Sequence, residues 1–376
     1  MNRIAIVTQY HNSRNYGGTL QAYALCRVLN EMGADCEQLS YHIEHYQKNN
    51  QSKANGVRRI VKALLNQIKK KSIIHRAELF DDFLDKIPHS KRVYNDENIK
   101  EAIENYDTFI TGSDQVWNMD WFHGPYFLDF VPNEKKKYSY AASMGGCSLD
   151  NEDKEYLRNV LSGYVDISVR ENETVTLLEG IINRDVSFVL DPTLLLSSSE
   201  WDSVSSERII REKYAFCYFL GNDLGIRKIA REYAKRNDLQ LVSISHLQNK
   251  TEKNDLFFGD KQINDASPLD FVSLVRDAEI VFTDSFHASV FSCIFQKQFF
   301  VFGRAGFPLM ANRIRSLCDL FEAGTHFCDV EDKRTIKYIE SAPCLLYDSK
   351  EKFNYYLKFS KEYLQRIIGK NDERSN

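Results

Sequence analysis

The amino-acid sequence predicts an α/β protein built from two Rossmann-like domains. Short apolar strands alternate with amphipathic helices, which is the pattern of a parallel sheet covered by helices. The alternation occurs once in each half of the 376 residues, and that length suits two domains. A last amphipathic helix over 350–368 follows the second series. Two similar halves, with a C-terminal helix that returns to the N-terminal half, indicate a GT-B-like arrangement.

The first domain opens with a strand, a glycine-containing loop and a helix. Residues 4–8 are a short run of β-branched and apolar side chains, as in buried parallel strands. Residues 19–32 carry an apolar stripe at helical spacing, and Gly33 ends the predicted helix. The next strand lies near 36–41. This order is typical of the opening of a Rossmann-like half.

A helical insertion over 44–90 interrupts the first series before its strands resume. The remaining strands predicted in this half are 108–111, 138–142, 165–169 and 187–190. The strands predicted in the second half are 214–220, 239–244, 280–283 and 299–302, and the helices are 226–236, 268–276, 287–295 and 311–321. We therefore divide the chain into an N-terminal domain over 1–190, a C-terminal domain over 191–345 and a terminal helical segment over 346–376.

Composition and charge exclude several classes of protein. The formal net charge is −4, whereas a general nucleic-acid binder needs a basic excess to neutralise phosphates. The N-terminus has no signal-peptide pattern, and no run of about 18 apolar residues occurs. The eight cysteines form no Cys-x-x-Cys pair, so we expect reduced, mostly buried thiols and no metal site. These features predict a soluble cytoplasmic protein.

A run of varied polar residues follows the strand predicted over 108–111. A hydroxyl, a carboxylate, two amides and an indole occur close together there, and they belong to Ser113, Asp114, Gln115, Asn118 and Trp117. Ligands of open α/β sheets bind beyond the carboxyl ends of the strands. We interpret the run as a candidate ligand site, in which Trp117 offers a face to a sugar ring. The alternative is that Asp114 only caps a helix.

Two further strand ends carry charged side chains. Arg170 follows the strand over 165–169, and an arginine there can bind a carboxylate or a phosphate in a forked geometry. Its alternative is an internal ion pair, for example with Glu171. Ser285 and His287 follow the strand over 280–283, where a histidine at a helix start can act as an acid or a base. Its alternative is a histidine that bonds only to local backbone groups.

The loop after the first strand is a candidate anion site, and a basic group follows the last predicted strand. Asn15, Gly17 and Gly18 precede the first helix, whose N-terminal N–H groups favour anions, although the loop can equally be a tight turn. Arg304 and Arg313 follow the strand over 299–302, with a solvated helix face as the alternative for this basic group.

Taken together in chain order, these motifs resemble those of the polysaccharide pyruvyl transferase family. They read NYGGTLQAYAL, FITGSDQVWN, YAAS, ISVRE, VLDPTLLL and TDSFHASVFSCIF, and they extend over about residues 1–320. The resemblance implies a GT-B-like fold, phosphoenolpyruvate as donor and a sugar as acceptor. It also implies that Arg170 and His287 lie at the donor site. Some members have Arg-Leu-His where this chain has Ser285-Phe286-His287, so Arg304 or Arg313 is expected to replace the missing arginine.

The predicted reaction is ketal formation from phosphoenolpyruvate on two hydroxyls of a sugar, in the synthesis of cell-surface polysaccharide or exopolysaccharide. His287 and Asp114 are the predicted acid and base, and no metal or bound cofactor is required. The predicted donor contacts are Arg170 at a strand end of the N-terminal half, Asn15, Gly17 and Gly18 in the first loop, and Ser285, Arg304 and Arg313 in the C-terminal half. The predicted acceptor contacts in the N-terminal half are Ser113, Gln115, Trp117 and Asn118. The alternatives are a nucleotide-sugar glycosyltransferase and a non-catalytic sugar-binding partner.

The predicted insertion contains a basic amphipathic helix over 57–71. Its apolar residues form one stripe, six basic residues flank the stripe, and no acidic residue lies between Lys53 and Arg76. Such a helix can bind the inner face of a membrane or a lipid-linked sugar, with about 1 kcal/mol for each basic residue near an anionic surface. The alternative is that the stripe packs on the N-terminal domain. The predicted acceptor is a sugar that is linked either to a lipid or to a nucleotide.

Overall fold

Two large parallel β-sheets, a third sheet of two parallel strands, and the helices that pack on them make up the described part of the protein. The structure is a computed structural model that describes residues 2–43, 58–245, 253–255, 258–304, 311–347 and 351–369, except for the side chains of 58–70 and 253. The strands of the N-terminal half are β1 (Arg3–Val7), β2 (Asp35–Tyr41), β3 (His89–Tyr94), β4 (Thr108–Thr111), β5 (Lys136–Ser139), β6 (Ser168–Val169) and β7 (Ser187–Phe188). The strands of the C-terminal half are β8 (Tyr214–Tyr218), β9 (Gln240–Ile244), β10 (Lys261–Ile263), β11 (Ile280–Thr283), β12 (Gln298–Phe302) and β13 (Phe327–Cys328).

The strand order is that of a Rossmann-like domain in both halves. The first sheet has the order β3-β2-β1-β4-β5 and the second has the order β10-β9-β8-β11-β12-β13, while β6 pairs with β7 in a separate two-stranded parallel sheet. In each sheet the chain leaves the centre in one direction and returns to build the other side, so that β1 lies beside β4 and β8 lies beside β11. The loops at these two switch points are where ligands bind in open α/β sheets. The predicted α/β fold with two Rossmann-like halves is confirmed.

Helices cover both faces of the sheets. The helices are α1 (Tyr16–Glu31), α2 (Arg58–Leu84), α3 (Asn151–Leu161), α4 (Asn172–Ile182), α5 (Ser198–Val204), α6 (Leu224–Arg236), α7 (Pro268–Arg276), α8 (Phe286–Ile294), α9 (Asn312–Leu320), α10 (Ile336–Ser341) and α11 (Glu351–Ile367). Most begin at a side-chain cap, such as the reciprocal pair of Ser267 and Asp270 at α7. Among the described residues, no helix is long and apolar enough to cross a membrane.

One hydrophobic core extends through both halves and joins them. Tyr16 at the start of α1 stacks on Phe271 of α7, with ring centroids 4.7 Å apart, and its hydroxyl donates to the carbonyl of Ala266 at 2.9 Å. Arg76 of α2 lies over the Tyr16 ring and donates to the carbonyl of Ser245 at 3.1 Å. The long helix α2 therefore belongs to the N-terminal half by sequence but also contacts the C-terminal half through Arg76.

The last helix returns to the N-terminal half, as the sequence predicts. The hydroxyl of Tyr363 donates to the carbonyl of Ser139 at the end of β5 over 3.0 Å. Ser360 accepts the backbone N–H of Leu190 at 2.9 Å. Because Tyr363 is fully buried, α11 packs on the N-terminal half as part of its core.

Several elements differ from the predicted ones. The short strands β3, β10 and β13 and the helices α3, α5 and α10 are absent from the predicted elements. The strand expected over 138–142 ends at Ser139, and an isolated bridge between Asp114 and Ala142 continues its pairing. Helix α2 begins at Arg58, but residues 44–57 and the side chains of 58–70 lie outside the described residues. The packing of the predicted basic stripe is therefore not described.

Candidate active site between the two halves

A cluster of charged side chains lies where the carboxyl ends of strands from the two halves meet. Arg170 leaves the end of β6 and Asp191 follows β7, while His287 enters with α8 from the second sheet. The side chains of Arg170 and Asp191 are each 1% exposed, and that of His287 is 9% exposed. The folded chain thus brings charged groups from two domains together in a nearly water-free place.

Arg170 is the centre of the cluster. One terminal nitrogen lies 2.6 Å from Asp191 Oδ2 and 3.2 Å from the hydroxyl of Ser113, and the other lies 3.2 Å from Asp114 Oδ1. The ring of Phe286 covers the guanidinium, with 4.7 Å between the ring centroid and Cζ. Burial opposes the charge of Arg170, but the surrounding carboxylates outweigh burial and raise its pKa. Arg170 is therefore a cation held in a fixed orientation.

Asp191 joins Arg170 to His287. Its Oδ2 lies 3.6 Å from His287 Nε2, while Oδ1 accepts from the backbone and the hydroxyl of Thr193 at 3.0 and 2.6 Å. Burial opposes ionisation, yet His287, then Arg170 and Thr193, hold the pKa of this carboxyl well below its usual range. Asp191 was not among the predicted site residues. The available signal was an Asp-Pro pair directly after a predicted strand, in the position where site residues of such sheets lie.

His287 packs against the first loop of the other half. A Cβ added to Gly17 would lie 1.9 Å from His287 Nδ1, so only glycine fits opposite this imidazole. Within the described part of the chain, His287 Nε2 is buried and makes no hydrogen bond that meets ordinary geometric limits. Asp191 Oδ2, at 3.6 Å, lies just beyond ordinary hydrogen-bond distance, so Nε2 can still bond to a ligand.

Arg313 of α9 is a second buried cation beside Arg170. Its Cζ lies 5.8 Å from the centroid of the Phe286 ring, and its terminal nitrogens donate to the Gln115 amide when the amide oxygen faces them. Burial, together with the charge of Arg170, lowers the pKa of Arg313 to about 10. Its Nε has no hydrogen-bond partner among the described residues. An incompletely paired buried cation is a candidate anion contact.

Glu171 and Ser143 form a hydrogen-bonded pair beside Arg170. The hydroxyl of Ser143 donates to Glu171, whose other oxygen is buried without a partner in the described structure. Burial raises the pKa of the Glu171 carboxyl, and Arg170 and Ser143 only partly offset this effect. Glu171 is thus the alternative ion-pair partner expected for Arg170, but at 3.8 Å it is farther away than Asp191.

Arg304 lies at the neighbouring strand ends of the second sheet. Its Nε is 3.5 Å from Asp284 Oδ2, and one terminal nitrogen donates to the Asp284 carbonyl at 3.3 Å. Asp284 also accepts the backbone N–H groups of Leu220 and Gly221 at 2.6 and 2.8 Å. Asp284 therefore ties the ends of β8 and β11 together, and Arg304 is placed at the same edge. Ser285 caps α8 by accepting from Ala288 at 3.5 Å.

The first loop is tied by its own cap. Asn15 Oδ1 accepts the N–H groups of Gly17 and Gly18 at 3.0 and 3.3 Å. These two N–H groups were expected to face an anion, but the Asn15 side chain already occupies them. Gly18 instead allows close approach of Asp114, whose Oδ2 would lie 3.2 Å from an added Cβ.

The predicted acceptor residues do not share one surface. Ser113 donates to the carbonyl of Ala141 at 2.9 Å and faces Arg170, and Gln115 faces Arg313. Asn118 accepts the N–H of Asp120 at 2.9 Å and caps a short helix.

Trp117 is a correction to the sequence interpretation, because the indole is 0% exposed and stacks on Phe127 in the hydrophobic core. No face of this indole is open to a sugar ring.

Asp114 does not cap a helix, which was the alternative expectation. Its backbone has a left-handed φ of 74°, a conformation that non-glycine residues adopt at a cost. Its carbonyl accepts from Val116 and Ser143, and its carboxylate faces Arg170. Conformations of this kind cluster at functional sites.

Among the described residues, no group of three or more histidine, cysteine, aspartate or glutamate side chains could hold a metal ion. The cluster instead offers two guanidinium groups, one imidazole and several carboxylates. Such a set can bind an anion with a carboxylate and a phosphate, and it can move protons.

The fold is of the two-domain GT-B type, and the charged cluster lies between its two halves. The sequence model of the family described as polysaccharide pyruvyl transferase matches residues 15–306. The chain belongs to this family, as its ordered motifs indicate. None of the curated protein sequences matches the chain significantly.

Solved structures of GT-B-type enzymes share the fold of the whole chain. The structure of Staphylococcus aureus MnaA with UDP superposes with a TM-score of 0.55 at 15% identity, covering 100% of this chain and 99% of that one. The UDP-GlcNAc 2-epimerase of Neisseria meningitidis bound to UDP-GlcNAc has a TM-score of 0.55 at 12% identity, covering 99% and 100%. The Methanocaldococcus jannaschii enzyme with UDP-GlcNAc and UDP has a TM-score of 0.54 at 16% identity, covering 98% and 99%. At these identities the likeness shows the fold alone.

Proposed function

We propose that the protein transfers the enolpyruvyl group of phosphoenolpyruvate onto two hydroxyls of a sugar, as a pyruvate ketal, during the synthesis of cell-surface or exopolysaccharide. One observation carries this proposal. Two buried guanidinium groups and an imidazole converge from both halves on one place, which matches a small substrate with two anionic groups. Membership of the pyruvyl transferase family supports the same assignment.

The chemistry follows from the substrate. Protonation of the methylene carbon of phosphoenolpyruvate makes a methyl group and leaves an oxocarbenium-like centre at C2. One sugar hydroxyl bonds to C2, the C2–O bond to phosphate breaks, and the second hydroxyl bonds to C2. The sugar loses two hydroxyl protons in the overall reaction. One makes up for the proton that the enzyme gives to the methylene carbon, and the other ends on the released phosphate. Cations on the carboxylate and phosphate and an acid–base pair therefore suffice.

The described side chains suit these roles. Arg170 and Arg313 would bind the carboxylate and the phosphate in place of their present contacts, with Arg304 at the adjacent strand end. His287 would give the proton to the methylene carbon, and Asp191 would orient its imidazole and stabilise the imidazolium, so Asp191 is a positioning residue. Because these groups are buried, the two halves must separate to admit the substrate, and closing them would exclude water.

Donor binding tests the placement of phosphoenolpyruvate. Calorimetry with phosphoenolpyruvate should show binding weakened by about 1–3 kcal/mol in Arg170→Ala, which is the scale of a charge-assisted hydrogen bond. His287→Ala should abolish most turnover. If the wild type, Arg170→Ala and His287→Ala bind phosphoenolpyruvate with equal affinity, the donor does not bind in this cleft.

The role of Asp114 is tested separately. It lies in the N-terminal half, where GT-B-like enzymes usually bind the acceptor, and its carboxylate can take a proton from a sugar hydroxyl. Asp114→Asn should lower turnover and leave the affinity for phosphoenolpyruvate nearly intact. Full activity in this variant would leave Asp114 with only its structural bond to Arg170.

One assay separates the proposal from its alternatives. The pure protein is incubated with phosphoenolpyruvate and candidate sugars, linked to lipid or nucleotide, while released phosphate is measured. Phosphate release that depends on both substrates supports pyruvyl transfer. UDP release from a nucleotide sugar without phosphoenolpyruvate would indicate a glycosyltransferase, and sugar binding without either reaction would indicate a non-catalytic partner.

A further inference from the structure

One aromatic pair is exposed beside the candidate site although the neighbouring tryptophan is buried. Trp121 and Phe122 are 47% and 48% exposed, whereas Trp117 is 0% exposed. Large aromatic side chains normally bury most of their surface, so adjacent exposed ones indicate a contact surface. Phe122 still packs on Phe127 and Tyr156, with centroid distances of 5.6 and 5.0 Å. Trp121 makes no ring contact with any described aromatic group.

The segment that carries Trp121 is held in place from both sides. Asn118 caps the short helix Met119–Trp121, because its side chain accepts from Asp120 and its carbonyl accepts from Trp121 at 3.2 Å. The backbone of Met119 donates to Cys147 Sγ at 3.4 Å. The backbone that carries the indole is therefore held by hydrogen bonds within the fold and is not a fraying terminus.

Polar groups that suit sugar hydroxyls follow the aromatic pair in the chain, beginning with His123. His123 Nε2 is 3.1 Å from Asp96 Oδ1, and the hydroxyl of Tyr41 contacts both groups. The Asp96 side chain is 47% exposed, so its carboxylate remains open to a ligand. We call Tyr41, Asp96, Trp121, Phe122 and His123 the Trp121 patch. It combines an open aromatic face with groups that donate and accept hydrogen bonds, which is the mixture that a pyranose ring needs.

The Trp121 patch lies at the same sheet edge as the charged cluster. Tyr41 ends β2, Asp96 follows β3, and the segment with Trp121 continues from the loop after β4. Asn118, where this segment begins, and Gln115, which faces Arg313, both lie next to Gly145. A continuous set of contacts thus connects the patch with the cations of the candidate donor site.

We propose that the Trp121 patch binds a pyranose ring of the acceptor glycan, with the apolar face of the sugar stacked on Trp121 and its hydroxyls bonded to Asp96 and His123. The aliphatic C–H groups of a pyranose carry partial positive charge and are attracted to the negative face of an indole. This inference rests on the proposed function, because it places the acceptor of that same reaction. It also replaces Trp117, which is buried, as the aromatic sugar contact.

The three tryptophans make a direct test possible in the wild-type protein. Trp117 and Trp201 are both 0% exposed, so a soluble quencher such as acrylamide reaches the fluorescence of Trp121 alone. Trp121→Phe should remove the quenchable emission. Methyl pyranosides of glucose, galactose, mannose and N-acetylglucosamine are then added up to about 100 mM, because one pyranose binds in the millimolar range. At least one should protect Trp121 from acrylamide, and glycerol should not.

Variants measure the contribution of the stacking face. Saturation-transfer NMR of the protecting pyranoside should show affinity about five- to tenfold weaker in Trp121→Ala. Trp121→Phe should retain part of the affinity. Tyr355→Ala is the matched control, since Tyr355 is an equally surface-placed aromatic on α11 with 65% exposure. Its affinity should equal that of the wild type.

The outcomes separate this inference from the proposed function, because sugar binding is measured without phosphoenolpyruvate. Absence of protection by every pyranoside, or equal affinity in Trp121→Ala and the wild type, overturns the role of the patch. If pyranosides protect Trp121 but phosphoenolpyruvate never releases phosphate, the sugar site stands and pyruvyl transfer fails. If transfer occurs with an acceptor KM that is unchanged in Trp121→Ala, pyruvyl transfer stands and the patch fails.

Discussion

Replacing Gly17 with alanine tests the contact between the two halves at the charged cluster. The added Cβ would lie 1.9 Å from Nδ1 of His287 and 2.4 Å from its Cγ. Ordinary contacts begin near 3.4 Å, so the imidazole must move away by about 1.5 Å or the halves must separate. His287 cannot keep its 3.6 Å approach to Asp191 after such a shift. Overpacking of this kind costs about 1–3 kcal/mol.

Urea unfolding and calorimetry measure the two consequences. Gly17→Ala should lower the free energy of unfolding by about 1–3 kcal/mol and weaken phosphoenolpyruvate binding, because the imidazole no longer faces the cleft. Gly180→Ala is the matched control, since an added Cβ on this exposed glycine in α4 meets nothing within 4 Å. It should stabilise the protein by about 0.5–1 kcal/mol through helix propensity and leave binding unchanged. If Gly17→Ala keeps the stability and the donor affinity of the wild type, the close contact between Gly17 and His287 is not part of the arrangement that binds the donor.

Three further predictions concern charge. Asp191→Asn should cost about 3–5 kcal/mol of stability at pH 7, measured by urea unfolding, because it leaves Arg170 without its nearest carboxylate. The pKa of Asp191 is depressed in the folded protein, so its ionised carboxylate stabilises the fold above about pH 4. The difference in the free energy of unfolding between the wild type and Asp191→Asn should therefore shrink only below that pH. Burial lowers the pKa of His326 to about 4, so stability should fall by up to about 2 kcal/mol as pH drops from 6.5 towards 4, and His326→Phe should remove this part of the pH dependence. The protein should pellet with anionic vesicles at low salt because of its basic segment over 57–71, and replacing Arg58, Arg59 and Lys62 with glutamine should prevent this. If the wild type does not pellet, the segment has only a packing role.

Local patterns predicted most of the fold. The strands 280–283 and 108–111 and the helix 268–276 coincide with β11, β4 and α7, because each is a run of one clear period bounded by turn or cap residues. Short edge strands such as β13 have too few residues to show a period, and they form only because β12 offers a row of backbone groups to pair with. Chain order also indicated the return of α11, but its contact with Ser139 could not be read from the sequence.

The candidate site was predicted less completely, for a physical reason. The motifs at strand ends placed Arg170, Asp114, Arg313 and His287 at the correct edges, because the carboxyl ends of parallel strands share one side of a sheet. The partner that joins Arg170 to His287 was not predicted. The Asp-Pro pair marked Asp191 as a strand-end residue, but its distance of 2.6 Å to Arg170 depends on elements far apart in the chain, and no local pattern carries that distance.

The sequence by itself determined the two Rossmann-like halves, the family and the strand ends that carry charge, since periodicity and ordered motifs are properties of neighbouring residues. Only the tertiary structure decided which charged groups meet, that Asn15 closes the loop N–H groups, and that Trp117 is buried while Trp121 is exposed. The reason is that burial and pairing depend on groups far apart in the chain, brought together when two sheets pack with their carboxyl edges facing each other.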